Sequence, residues 1–361
     1  MQLESSFIQR EEKYYKKEKI KYILFISFGI LAILTMVIVS LCVGNYKTTP
    51  LEVLNALIDR ENNAQVFNIV IYSRMPRLLA SLFVGASLSI AGFCYQSIFK
   101  NKMASPDLLG VSAGASAGAV VAILLNFSFA FISLFSFIGG VIAVVITAFI
   151  ARLFKGVNYS ISLLLSGIVV AGFMNSFVGI AKSVSNMSQL ASITYWLLGG
   201  FYNARYEQLV IVCPIIFICI ICLVLLRWKI VMLQNSDEDA QSHGINVKRV
   251  RAAVIVLSTL ITALSVAISG TVGWIGLAIP NLINLLVKND SKKTIILSVI
   301  IGSLFACVCD LLCRTLTTSE IPVGILTGIF GAVIFIVVLI VRRVQNGWHS
   351  FENKWLIICL R

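Results

Sequence analysis

The chain has 361 residues, of which 58% are hydrophobic and only 12% charged, with a formal net charge of +13. Its mean hydropathy is +0.94. A soluble domain of this length has too little interior to bury that much apolar surface, so the composition demands a bilayer as solvent. The sequence holds no G-x-x-x-x-G-K-[ST] loop, no H-E-x-x-H and no paired carboxylates, which excludes ATP binding through a P-loop and leaves no hydrolytic centre.

A helix of about 20 apolar residues crosses the hydrocarbon core and satisfies its own backbone hydrogen bonds there. Four runs of 17 or more residues carry no charge: Ile23–Val43, Phe127–Ala151, Leu209–Leu226 and Ile325–Val341. In chain order the pattern predicts an all-α, polytopic membrane protein of about ten transmembrane helices. The expected spans are 21–43, 76–98, 108–126, 130–153, 160–183, 206–227, 250–270, 275–288, 294–314 and 323–343. Residues 1–20 read as a basic tail, 21–343 as the membrane domain, and 344–361 as a second tail with no assigned role. The first apolar run follows the charges of Arg10 to Lys21, and no small-residue cleavage site closes it, so it reads as a span rather than a cleaved signal. In the eighth, Gly273, Gly276 and Pro280 predict a broken or bent helix.

With the N-terminus inside, 22 of the 29 Lys and Arg residues fall on the inner side and 7 on the outer. Basic residues near span ends resist translocation, so both N- and C-termini are expected in the cytoplasm. The positive charge is dispersed over several loops and is a topology signal, so no nucleic-acid partner is expected. The outer loop 44–75 contains Leu51–Ile58, whose mixed spacing suits an interfacial helix. The inner loop 228–251 carries Asp237, Glu238 and Asp239, then Lys248, Arg249 and Arg251. It reads either as an amphipathic element that docks a cytoplasmic partner or as an ordinary solvated connector.

Nine cysteines lie mostly inside apolar runs, and only two histidines, His243 and His349, accompany them. Cys219 and Cys222 form a C-x-x-C with no further ligand nearby, so the thiols read as small packing groups and no metal site is expected. Carboxylates within spans are nearly absent; Asp310 and Glu320 lie near an outer end. Ion-coupled carriers place ionisable groups near the midplane, so this scarcity argues against a self-powered secondary transporter. Gly85, Gly92, Gly110, Gly114, Gly324 and Gly328 belong to small-residue clusters that let helix backbones approach closely.

The run from Arg74 to Gly118, RMPRLLASLFVGASLSIAGFCYQSIFKNKMASPDLLGVSAGASAG, is more specific. It resembles the permease subunits of ABC importers for iron chelates (siderophores) and cobalamin. Arg74, Pro76 and Arg77 match that family's R-x-P-R, and Gly92 and Gln96 its G-x-x-x-Q. Asn101, Ala104, Pro106, Leu109 and Gly110 match N-P-L-A-x-P-x-x-L-G, with Lys102 and Met103 in place of Pro-Leu. Further blocks follow in family order. They are Leu165 to Gly167, Trp196 to Gly199, Ala240 to Gly244 (His243 replacing Leu), Ser269 to Leu286, Asp310 with Arg314, and Glu320 to Gly324. Asn281 and Asn284 stand where the family has His and Arg.

The resemblance implies two permease chains, as a homo- or heterodimer, enclosing a path in membrane lipid of a bacterial cytoplasmic (inner) membrane. Two cytoplasmic ABC ATPase subunits and an extracytoplasmic substrate-binding protein are implied as partners. ATP and Mg would sit on the ATPase, with no cofactor on this chain and no enzyme activity of its own. Arg74, Arg77 and Arg314 match the arginines that meet carboxylates of the binding protein; the alternative is structural pairing, as of Asp310 with Arg314 one turn away. Asp239, Ala240, His243 and Gly244 fall in the coupling loop, where Ala240 and Gly244 match the family, and Asn101, Met103, Asn158 and Ser160 fall in segments that resemble its cytoplasmic gates. Iron-siderophore import is the expected function because it is the family's commonest; cobalamin, haem and oxyanions are the alternatives.

Overall fold

The computed structural model describes residues 2–359 except 45, 47, 155–158, 288–289 and 318–319, with side chains from 16 to 344. Among the described residues the chain is helical, with no strand. Helix α1 spans Gln2–Cys42, and two short helices follow, α2 (Pro50–Ile58) and α3 (Ala64–Asn68). Thr49 and Glu52 cap α2 reciprocally, and Pro50 occupies its first turn, where a missing N–H costs nothing. A π-helical turn, Ile69–Arg74, leads into α4 (Met75–Ile98). A 3-10 turn at Pro106–Leu109 then precedes α5 (Val111–Leu124), α6 (Phe129–Leu153), α7 (Tyr159–Val184) and α8 (Met187–Leu198). The remaining helices are α9 (Tyr206–Leu225), α10 (Arg227–Met232), α11 (Asp237–Ser242), α12 (Val247–Ser269), α13 (Ile275–Leu286), α14 (Ser291–Cys313) and α15 (Val323–Cys359).

Eight helical stretches are long and apolar enough to cross a membrane, and α5 and α13 are shorter apolar helices. These ten coincide with the ten expected spans. Helix α4 is the axis of the molecule, buried along nearly its whole length against α9, α12, α13 and α14. Helices α5, α6 and α7 pack together beside it, and α1 lies at the edge against α14. The outward faces of α1, α6, α7 and α9 expose large apolar side chains, among them Phe28, Leu31, Phe149, Phe173, Ile211 and Phe217. Such surface is stable only against lipid or another chain.

Glycines set how closely α4 is approached. A Cβ at Gly85 would overlap the Gly302 carbonyl of α14, and one at Gly92 would overlap the Gly276 carbonyl of α13. Gly114 and Gly324 likewise lie against neighbouring backbone. Two expected packing glycines act differently. Gly110 adopts φ +77 at the start of α5, a left-handed conformation, and has only ordinary contacts around it. At Gly328 the nearest atom to a Cβ would be Trp274 Cδ1 at 3.9 Å, so nothing within this chain requires glycine there.

The expected break in the eighth span is present. Gly270 and Trp274 both have positive φ, and α13 begins only after them. Its 12 residues rise about 18 Å, short of the roughly 30 Å core. Pro280 cannot donate to the Gly276 carbonyl one turn earlier, and Gln96 Nε2 reaches that carbonyl at 3.4 Å instead. The matched Gln96 is therefore a partner for the backbone opened by Pro280.

Candidate functional site

Two polar clusters lie at opposite ends of α4, about 36 Å apart along its 24 residues. At its start, Arg74 donates to the Leu41 carbonyl at 2.5 Å, to the Thr48 hydroxyl at 2.7 Å and to the Tyr46 carbonyl. Leu41 belongs to the last turn of α1, whose carbonyls lack intrahelical donors, so the guanidinium caps that helix and suits its negative end. Arg77 donates through Nε to Asp310 at 2.6 Å and through Nη1 to Glu320 at 2.7 Å. Arg314 donates to the Ser40 carbonyl at 2.9 Å and lies 3.7 Å from Asp310.

The three arginines expected to face a docking partner are 4%, 7% and 5% exposed. All are engaged within the chain. The structural pairing of Asp310 with Arg314 is present, and Arg77 joins it from 233 positions away. Of the cluster's carboxylates, Asp310 is 1% exposed and Glu320 36%, so Glu320 is its solvent-facing edge.

At the far end of α4, the loop 99–105 meets α10 and α11. Ser236 caps α11 through the Asp239 amide at 3.0 Å. The helix stops at Gly244, φ +75, where the Ile245 amide donates to the Ala240 carbonyl at 3.1 Å and the Gly244 amide to the Gln241 carbonyl at 2.8 Å. That is the Schellman stop, and buried Ala240 and Ile245 complete it with apolar contact to the core. Ala240 thus points inward, while Asp239, His243 and Gly244 are exposed. The His243 ring pairs through Nδ1 with the Asp239 carbonyl at 2.8 Å.

Asp237, at the first position of α11, was not singled out by the sequence pattern as a site residue. It accepts from Lys100 at 3.0 Å and from Arg251 at 3.1 Å. Burial pushes its carboxyl up, but the hydrogen bonds and charges of Lys100 and Arg251 outweigh this and hold it below its ordinary value. Gln234 donates to Ser97 at 2.9 Å and accepts from Ser291 at 2.8 Å, joining the ends of α4 and α14.

Of the expected gate residues, Asn101 folds its own loop by accepting from the Met103 amide at 2.8 Å, and Met103 is exposed at the tip. Ser160 is half-buried in the first turn of α7, and Asn158 lies outside the described residues. Asn281 donates to the Lys102 carbonyl at 2.7 Å, which ties α13 to the same loop, and Asn284 accepts from Thr294 at 2.7 Å. A polar cleft of about 220 Å³ opens here, lined by Gln96, Lys100, Asn101, Gln234, Asn284 and Ser291 among others. Among the described residues no three His, Cys, Asp or Glu side chains gather as metal ligands.

A bundle of long apolar helices with one short, interrupted helix, α13, and a pair of short helices seated outside its spans, is the architecture of a polytopic membrane permease. The chain belongs to the FecCD transport family, whose model matches residues 31–342. It is accordingly a permease subunit of an ABC importer, a multi-pass protein of the bacterial inner membrane. A Helicobacter pylori protein named "Probable iron chelatin transport system permease protein" is 34% identical, over 84% of this chain and 92% of its own. The molybdate import system permease MolB of Haemophilus influenzae is 30% identical, over 90% of this chain and 98% of its own. A solved structure described as "An inward-facing conformation of a putative metal-chelate type ABC transporter" matches with a TM-score of 0.78 at 28% identity, covering 88% of this chain and 98% of that one.

Proposed function

We propose that this permease carries iron–siderophore complexes inward, powered by ATP and Mg bound to two separate cytoplasmic ATPase subunits. A second permease chain, identical or not, completes the path, and an extracytoplasmic binding protein delivers the ligand. The names of the Helicobacter protein and of the solved metal-chelate transporter support the iron-chelate reading. The molybdate permease supports an oxyanion as the alternative cargo of the same machinery.

The carrying observation is the α10–α11 pair. Its apolar side (Ile230, Leu233, Ala240, Ile245) is seated in the bundle core, and its other side is polar and exposed. An element built this way transmits force from a partner on its polar face into the helices beneath. The charge distribution of the loops supports placing this end, and both termini, in the cytoplasm. The loop 99–105 and the start of α7 then form the inner gate, with Asn101 shaping the turn and Met103 closing it. Residues 1–20 and 344–361 are the cytoplasmic tails of this arrangement, and 44–75 is its outer loop.

At the outer end, Arg77 meets a carboxylate of the binding protein by exchanging it for Glu320, while Arg74 and Arg314 hold the rim in shape. Gly244→Trp tests the coupling role. No Cβ contact lies within 4 Å in this chain, so the side chain projects from the exposed face, and Gly244→Ala, which bears the same left-handed strain at φ +75 without the bulk, is the control. Permease–ATPase complexes carrying it should lose ligand-driven ATP hydrolysis and uptake; intact activity would refute the docking assignment.

A further inference from the structure

We propose that Asp237 is a positioning residue of the transport cycle, binding the α10–α11 element to the gate loop so that both move together. The inference rests on the coupling role proposed for that element, and it adds the connection by which motion reaches the gate.

Asp237 holds two cations from different parts of the chain: Lys100, at the root of the loop after α4, and Arg251, in the first turns of α12. Lys100 has φ 51, the left-handed position of the Schellman stop that ends α4, with the Asn101 amide donating to the Gln96 carbonyl at 3.1 Å and the Lys100 amide to the Ser97 carbonyl at 3.4 Å. Asn101 follows directly and fixes the Met103 amide, so displacement of Lys100 acts on the whole turn. Beneath, Ile98, Ile230, Leu233, Ala240 and Ile245 share one apolar cluster. Apolar contact is non-directional and permits sliding, whereas a charge-assisted hydrogen bond fixes register. The 220 Å³ cleft lies beside the loop, whose Phe99 and Ala104 pack on the same apolar cluster and whose Lys102 carbonyl is held by Asn281, while the Asp237–Lys100 pair is its charge-assisted bond to α11.

The test is hydrogen exchange in the assembled permease–ATPase complex, with and without ATP plus vanadate, read separately over 227–244 and 99–105. In the parent complex, nucleotide should change exchange in both segments. Asp237→Asn and Lys100→Gln cut the same bond from either side. Each should keep the response at 227–244 and reduce that at 99–105 about fivefold or more. Asp237→Glu should retain the response, and Asp237→Asn combined with Lys100→Gln should lose no more than either alone, which a merely structural role would not predict. A 99–105 response that survives both single variants overturns the proposal, as does a parent complex that responds at 227–244 alone. A parent complex silent at 227–244 refutes the coupling role itself.

Discussion

Neutralising Asp310 removes the one charge that Arg77 and Arg314 share. The carboxylate is 1% exposed, 2.6 Å from Arg77 Nε and 3.7 Å from Arg314 Nε. Asp310→Asn keeps its shape but leaves two buried guanidinium groups with only Glu320 to offset them. Breaking a buried ion pair from one side costs about 3–5 kcal/mol, because the remaining charge stays desolvated. Glu320→Gln removes a solvent-facing partner and should cost no more than about 1 kcal/mol. Replacing the whole buried triad, Arg77→Met with Asp310→Leu and Arg314→Met, should recover much of the loss, since apolar substitutes of similar volume are often neutral. Equilibrium unfolding of the purified permease in detergent, with a denaturing detergent as titrant, measures all three. If Asp310→Asn and Glu320→Gln proved equally mild, the cluster would not hold the outer end together.

Gly92→Leu should disrupt α4–α13 packing, because backbone cannot yield as a side chain does, and cost at least about 1–3 kcal/mol. Gly328→Ala should be near neutral in the same unfolding assay. Gly244→Ala meets no atom but must hold a left-handed backbone, so it should destabilise by about 1–2 kcal/mol while leaving docking intact. Asp237 has its folded-state value lowered, so its contribution is present above the ordinary value of 3.8 and is lost as pH falls through the folded value. The nucleotide response of segment 99–105 should therefore be level between about pH 5 and 8 in hydrogen-exchange measurements corrected for intrinsic rates. A midpoint in that range would place another group at the contact.

Helix positions were legible because each span carries its own apolar signal, and even the interruption before α13 was written in Gly273, Gly276 and Pro280. Helix α8 was not anticipated: Ser188, Gln189, Ser192 and Thr194 dilute its apolar pattern. Its legible sign was the capping pair Asn186 and Gln189, three residues apart, which close on each other at 2.9 and 3.2 Å. The arginine motif was visible as sequence, yet the state of those arginines was not. Burial of Arg77 depends on Asp310 and Glu320, more than 230 positions away, and Arg74 on carbonyls at the end of α1. Asp237 was hidden for the same reason. Within 228–251 it is one acid among three, and only the fold brings Lys100 to it across 137 positions.

In the function proposed above, ATP on a partner chain drives transport through this permease. Vesicles holding the permease, its ATPase and its binding protein, supplied with a radio-iron siderophore outside, test it directly. Accumulation should require ATP and Mg on the ATPase face and persist when an uncoupler abolishes the ion gradient. Accumulation that survives ATP depletion and collapses with the uncoupler would contradict the account.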